Sequence, residues 1–183
     1  MSASNGRTDL NYDGADCLRK LLAGSDAAAR ALQAGQALTL RNGNLRGKPA
    51  VIVHGRSDGL LPVNHTSRPY LGLNKVAEGT ASKLSYIEVT NGQHFDAFID
   101  VLPGYANTFI PLHVYLNRAL DAMYANLRSG TALPPSQVVR TTPRGGSAAP
   151  APQILPSNVP PIAATPAAGD VISVSGSTVN VPN

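Results

Sequence analysis

The chain has 183 residues, of which 43% are hydrophobic and 14% charged, with a formal net charge of +4; that is room for one domain with a real core, or one domain and a tail. No apolar run reaches the roughly 18 residues of a membrane span, and the opening MSASNGRTDLNYDG lacks the apolar stretch of a signal peptide. The single cysteine, Cys17, excludes an internal disulfide framework and a Cys-rich zinc site, and the 15 Lys and Arg are scattered without a basic run or interleaved aromatics, which argues against a nucleic-acid surface.

In chain order, Ala15 to Leu22 and Ala27 to Ala34 read as helices, with Asp26 and Asn11 or Asp13 as caps. Pro49 to His54 is a short β-branched apolar run bounded by Gly47 and Gly55, the pattern of a strand buried on both faces. Asn64 to Val76 can form a helix, and Leu84 to Thr90 a second strand. Strand, helix and strand in this spacing is a βαβ unit with parallel strands and a right-handed crossover. Leu112, Tyr115, Leu116, Ala119, Leu120, Met123 and Leu127 then fall on one face of a long helix, with Pro111 in its first turn and Gly130 just past its end.

Composition breaks at Gly130. All nine aromatics precede it, and beyond it only Arg140, Arg144 and Asp170 are charged. The region 131–169 is Pro- and Ala-rich and reads as an extended linker that builds no packed core. In 170–183, Val171, Ile172, Val174, Val179 and Val181 flank a Ser-Gly-Ser turn, which suggests a short hairpin or a terminal strand. Two strands are too few for a complete parallel sheet, and both read as central. The fold class is therefore α/β, with 1–130 as the closing part of a larger parallel-sheet domain.

The chemistry gathers past the carboxyl ends of the two strands, where open α/β sheets place their functional groups. Asp58 lies four residues beyond His54, and His94 follows the second strand through Asn91-Gly-Gln. A carboxylate there can accept a hydrogen bond from the imidazole, fix its tautomer and stabilise the imidazolium. Taken singly, Asp58 also suits a turn or cap, and His94 a structural or solvated loop; the joint pattern points to two members of a Ser-His-Asp triad, in the order acid then base of α/β-hydrolases. The nucleophile is then expected outside this chain. His54 and Arg56 are candidate supports of the loop.

One local match competes. Gly55-Arg-Ser57-Asp-Gly59 fits G-x-S-x-G after a strand, which makes Ser57 an alternative nucleophile, with Asp96 or Asp100 and His113 as partners. The flanking Arg56 and Asp58 and the delayed helix fit an elbow poorly. His65, Cys17 and Asp96 read as structural or solvent-facing, and His113 as an exposed or half-packed residue of the long helix. No His, Asp or Glu set has metal-ligand spacing, and there is no phosphate loop or dinucleotide fingerprint.

The segments GKPAVIVHGRSDGLLPVNHTSRPYLGLN, LSYIEVTNGQHFDAFID, PGYANTFIPLHVYLNRALDAMYANL and LPPSQVVRTTPRGG closely resemble the C-terminal part of the D-(−)-3-hydroxybutyrate oligomer hydrolases. The resemblance runs from about Arg46 to the end of the chain, and its specific run is His54, Arg56, Asp58, Pro62, Asn64, Ser67, Arg68 and Tyr70. It implies a secreted serine esterase of the α/β-hydrolase type that cuts 3-hydroxybutyrate oligomers to monomers during polyhydroxybutyrate degradation. It implies no metal or organic cofactor, no nucleic-acid or membrane partner, and Asp58 and His94 as triad acid and base. It also implies an upstream serine elbow with no counterpart in this chain, which then looks like a fragment awaiting its N-terminal catalytic portion and is not expected to be active alone. The alternatives are a fragment of a tannase- or feruloyl-type esterase, or a non-catalytic interaction module; the absence of Trp counts against the last.

Overall fold

Two adjacent strands rich in apolar residues give the molecule its central sheet. The computed structural model describes Gly6, Thr8, Asp9, 11–147 and 149–183, and divides into two compact units, Met1–Arg41 and Asn42–Asn183. In the first unit, α1 (Tyr12–Leu22) and α2 (Ala27–Thr39) form a helical hairpin. Asp26 caps α2, its side chain accepting from the Ala29 N–H at 2.8 Å. The Gln33 side-chain amide donates to the carbonyls of Leu22 and Gly24 and closes the turn. Asn11 occupies the N-cap position of α1 but makes no side-chain cap bond. Cys17 is exposed.

The second unit is built on a three-stranded parallel sheet of order β1-β2-β3: β1 (Ala50–Gly55), β2 (Leu84–Val89) and β3 (Gln137–Val139). The connection from β1 to β2 carries a 3₁₀ turn, Val63–His65, and then α3 (Ser67–Glu78). A four-residue helix, α4 (Tyr105–Thr108), and the long α5 (His113–Ser129) separate β2 from β3. Gly130 ends α5 in the left-handed conformation at φ 71°, its N–H on the Asn126 carbonyl. Pro111 lies just ahead of the helix rather than in its first turn.

Every residue of β2 is buried, so its pleat feeds two cores. Ile87 and Val89 face Ile110, Tyr115, Val139 and Val159. Leu84 and Tyr86 face Leu71, Val138 and Ile172. Full burial of side chains such as Leu71 and Ile87 contributes roughly 1.5–3 kcal/mol each.

Three expectations change. First, 131–169 is not merely a linker: it supplies β3, and its isolated apolar residues Ile154, Val159 and Ile162 pack against the first core. Polar side chains hold it there. The Gln137 amide donates to the Ala163 carbonyl at 2.8 Å and accepts from the Ala163 N–H at 2.9 Å, standing in for a strand neighbour. Arg118 and the Tyr115 hydroxyl bond the Pro160 carbonyl. Second, β2 is central, but β1 is an edge strand with half-buried side chains, and no described residue pairs with its outer edge. Third, only part of the apolar face of α5 turns inward. Tyr115 and Ala119 are buried, whereas Leu116, Leu120 and Leu127 are exposed.

After the linker, β4 (Ser173–Ser175) and β5 (Thr178–Asn180) form an antiparallel hairpin. Val174, Val179 and Val181 pack against the second core, which stabilises a two-stranded unit that would be marginal alone.

Candidate functional site

The site stands where β1 and β2 end side by side. Their register pairs His54 with Glu88 and Gly55 with Val89, so the loops that follow start level with each other. Gly55 lets them touch: a Cβ there would lie 2.4 Å from the Gly92 carbonyl oxygen, a separation that backbone cannot give. The Arg56 N–H donates to the Val89 carbonyl and the Ser57 N–H to that of Gly92. Asn91 takes a left-handed turn at φ 55°, and its amide donates to the Thr141 carbonyl at 2.9 Å. That turn swings His94 back over the β1 loop.

Asp58 and His94 meet there, with His94 Nδ1 3.2 Å from Asp58 Oδ2. The Asp58 carboxylate is only 2% exposed, while the His94 side chain is 37% exposed. Oδ1 of Asp58 accepts the backbone N–H groups of Leu60 and Leu61, each at 2.9 Å. Burial works to raise the Asp58 carboxyl, but the Leu61 and Leu60 amides and the His94 side chain outweigh it and hold it below its ordinary range. The arrangement leaves Nε2 of His94 for proton transfer, with no hydrogen bond to it among the described residues.

His54 also reaches this carboxylate, Nε2 standing 3.3 Å from Oδ2. Arg56 does not. It turns to the buried Glu88 carboxylate, which it shares with Arg68, and its other terminus donates to the Pro182 carbonyl at 2.8 Å. Glu88 has no exposed surface and also accepts the Tyr86 hydroxyl at 2.7 Å. Burial raises the Glu88 carboxyl, and Arg68, Tyr86 and Arg56 more than reverse it, so it stays ionised below the ordinary range.

Ser57 is exposed and pinned by its backbone alone, its carbonyl accepting from the Gln93 amide at 2.8 Å. No hydrogen bond joins its hydroxyl to a histidine among the described residues. Asp96 is the cap of α5: its carboxylate takes the N–H groups of Leu112 and His113 and lies 2.8 Å from His113 Nδ1. Asp100 and His65 are exposed. A cavity of about 280 Å³ opens beside His94, walled by Val53, Leu112 and Leu116 with Asp96 and His113 at its side. A separate cleft of about 450 Å³ lies at the amino ends of the strands and includes no histidine or acid. No group of three or more His, Cys, Asp or Glu is placed to hold a metal ion, and no helix is long and apolar enough to cross a membrane, among the described residues.

Two contributors escape a reading of the sequence. Gln93 clamps both loops, donating to Ser57, accepting the His94 N–H at 2.7 Å and the Gly59 N–H at 3.3 Å. Glu88 anchors Arg56, two residues before Asp58. The signal for Glu88 is a charged residue in an otherwise buried strand, which demands a cationic partner; Gln93 offers none.

The profile of the 3HB-oligomer hydrolase family matches residues 1–183. A D-(-)-3-hydroxybutyrate oligomer hydrolase of Cupriavidus necator is 76% identical over 184 residues, covering 100% of this chain and 26% of the relative. That of Cupriavidus metallidurans is 70% identical over 185 residues, covering 100% of this chain and 25% of the relative. One from Ralstonia pickettii is 68% identical over 184 residues, covering 98% and 25%. The chain thus spans about a quarter of the length of the curated relatives it matches. No solved structure matches it. With the whole chain inside the family profile and three-quarters of its residues shared with a relative, this chain belongs to the 3HB-oligomer hydrolase family.

Proposed function

We propose that residues 42–183 are the closing part of an α/β-hydrolase-like domain, and that Asp58 and His94 are the acid and base of a serine-type ester hydrolase acting on 3-hydroxybutyrate oligomers. The observation that carries this reading is the Asp58–His94 contact across the carboxyl ends of two parallel strands. The outer edge of β1, which no described residue pairs, supports it, since a parallel sheet of this kind continues on that side.

The chemistry is acyl transfer. His94, oriented through Nδ1 by Asp58, takes the proton of a serine hydroxyl at Nε2 as that oxygen attacks the ester carbonyl. Collapse of the tetrahedral intermediate breaks the ester bond, and His94 returns the proton to the departing 3-hydroxy group. Water, deprotonated by His94, then releases the acyl chain and restores the serine. Backbone N–H groups holding the oxyanion and the serine itself belong to the part of the protein that precedes these residues. Arg56 and His54 hold the acid's loop. Secretion, as the resemblance implies, belongs to the same proposal.

The test is hydrolysis of a linear 3-hydroxybutyrate trimer by the 183-residue chain beside its Ser57→Ala variant, with monomer followed by chromatography. Neither protein should release monomer. Release that disappears with Ser57→Ala would make Ser57 the nucleophile and overturn the assignment.

A further inference from the structure

Asp58 sits between two peptide groups held by one side chain. The Gln93 carboxamide donates from Nε2 to the carbonyl of Ser57, the residue before Asp58, at 2.8 Å. Its Oε1 accepts the N–H of Gly59, the residue after, at 3.3 Å. The same oxygen accepts the His94 N–H at 2.7 Å. These partners fix the orientation of the amide, since two N–H groups require an oxygen and a carbonyl requires an N–H.

The roots of the two loops are joined by backbone. The Arg56 N–H bonds the Val89 carbonyl at 2.8 Å, and the Ser57 N–H bonds that of Gly92 at 3.0 Å. Further out, the Gln93 side chain makes the only hydrogen bonds between the loops among the described residues, apart from the contact of Asp58 with His94 itself. The other supports act from within one loop. The Leu60 and Leu61 amides hold Oδ1 of Asp58 from its own turn. The Phe95 ring meets the neighbouring His94 ring edge-on, with centroids 4.6 Å apart. Neither fixes the acid's loop against the base's.

We propose that Gln93 is a positioning residue whose carboxamide holds Asp58 and His94 in register, by bonding the peptides on both sides of the acid and the amide of the base. This rests on reading Asp58 and His94 as acid and base. The role needs a donor and an acceptor on one terminal group at this reach. Glutamate keeps the acceptor but turns a second acceptor toward the Ser57 carbonyl, and methionine keeps the length with neither function. The three bonds lie at the surface, where water replaces a lost partner, so folding gains little from them. Reaction geometry is more sensitive, since a misplacement of about 1 Å costs on the order of 10²-fold in rate.

The experiment uses a full-length family member carrying this sequence as its matching quarter, with a linear 3-hydroxybutyrate trimer as substrate. Gln93→Met should lower kcat by roughly 10–100-fold and leave KM within about twofold. Gln93→Glu, which restores the acceptor alone, should recover part of that loss. The urea midpoint of the 183-residue chain should be nearly unchanged in both variants. An unchanged kcat in Gln93→Met, beside a lost one in Asp58→Asn, overturns the role of Gln93 and keeps the acid–base pair. A lowered kcat that follows a lowered urea midpoint makes Gln93 a fold residue only and overturns it as well. Full kcat in Gln93→Glu shows that the bond to Ser57 is dispensable, which removes the two-sided hold even if Gln93→Met does not fold. If Asp58→Asn leaves kcat unmoved, the acid–base pair itself fails, and the role of Gln93 with it.

Discussion

Two Asp–His pairs lie within one loop region of this molecule, and they do different things. His94 Nδ1 is 3.2 Å from a carboxylate that is 2% exposed; His113 Nδ1 is 2.8 Å from one that is 24% exposed. The shorter contact is the less informative. Asp96 spends its oxygens on the first N–H groups of α5, and its histidine, 61% exposed, sits on the helix it caps. Asp58 spends one oxygen on its own turn and turns the other toward a second loop on a neighbouring strand. What separates a candidate acid from a cap is burial, not distance.

The largest effect expected from that difference is on activity. In a full-length family member carrying this sequence as its matching quarter, Asp58→Asn should lower kcat for oligomer hydrolysis by about 10⁴, the scale of losing the residue that orients a triad histidine. Asp96→Asn should change it by less than roughly threefold, since a cap contributes to helix stability rather than to a barrier. Equal losses in the two variants would erase the distinction between the pairs.

Behind the first pair stands a buried anchor that the second lacks. Glu88→Ala leaves Arg56, Arg68 and the Tyr86 hydroxyl without their shared acceptor, and should cost about 3–5 kcal/mol in urea unfolding of the chain. It should also loosen the Asp58 loop, visible as a broadened Asp58 amide, and leave the Asp96 turn unchanged. An unaltered Asp58 turn would mean that Arg56 does not hold it.

These differences also mark what the sequence could tell. β1, β2 and α5 were legible because their apolar spacing matches a strand or helix period. β3 was not: three residues, Gln137-Val-Val139, carry too little pattern, and a Pro-rich setting reads as linker. Val159 and the half-buried Ile162 pack singly, in a segment held by carbonyl contacts from Val159 to Arg118 and from Ala163 to Gln137, which no periodicity records. The meeting of Asp58 and His94 was legible from their place just past strands. The turn of Arg56 away from Asp58 was not, since it depends on Glu88 across the sheet and Pro182 at the far end of the chain.

A smaller effect belongs to the second pair. Asp96→Ala removes the acceptor for the Leu112 and His113 N–H groups and should destabilise the chain by about 1 kcal/mol, the usual loss of an N-terminal cap. Asp96→Ser, which keeps one acceptor, should recover most of it. A loss several times larger would make Asp96 more than a cap and reopen its pairing with His113 as a site.

The smallest effect is on the acid limb of stability. The Asp58 carboxyl is held below its ordinary range in the folded chain and titrates in that range, near pH 4, when unfolded. Between these two values the unfolded chain binds more protons, so stability must rise with pH across that window. The contribution is complete above the ordinary range and is lost as pH falls through the folded value. Asp58→Asn should therefore flatten part of the dependence of the urea midpoint on pH below about 5. Glu88 and Glu78 contribute to the remaining slope, since their carboxyls are also held low, the former chiefly by Arg68, the latter by the Gly47 amide, each against the opposing effect of burial. A midpoint that keeps its full acid slope in Asp58→Asn would show that the Asp58 carboxylate gains nothing from its donors on folding, and the contrast with Asp96 would then rest on position alone.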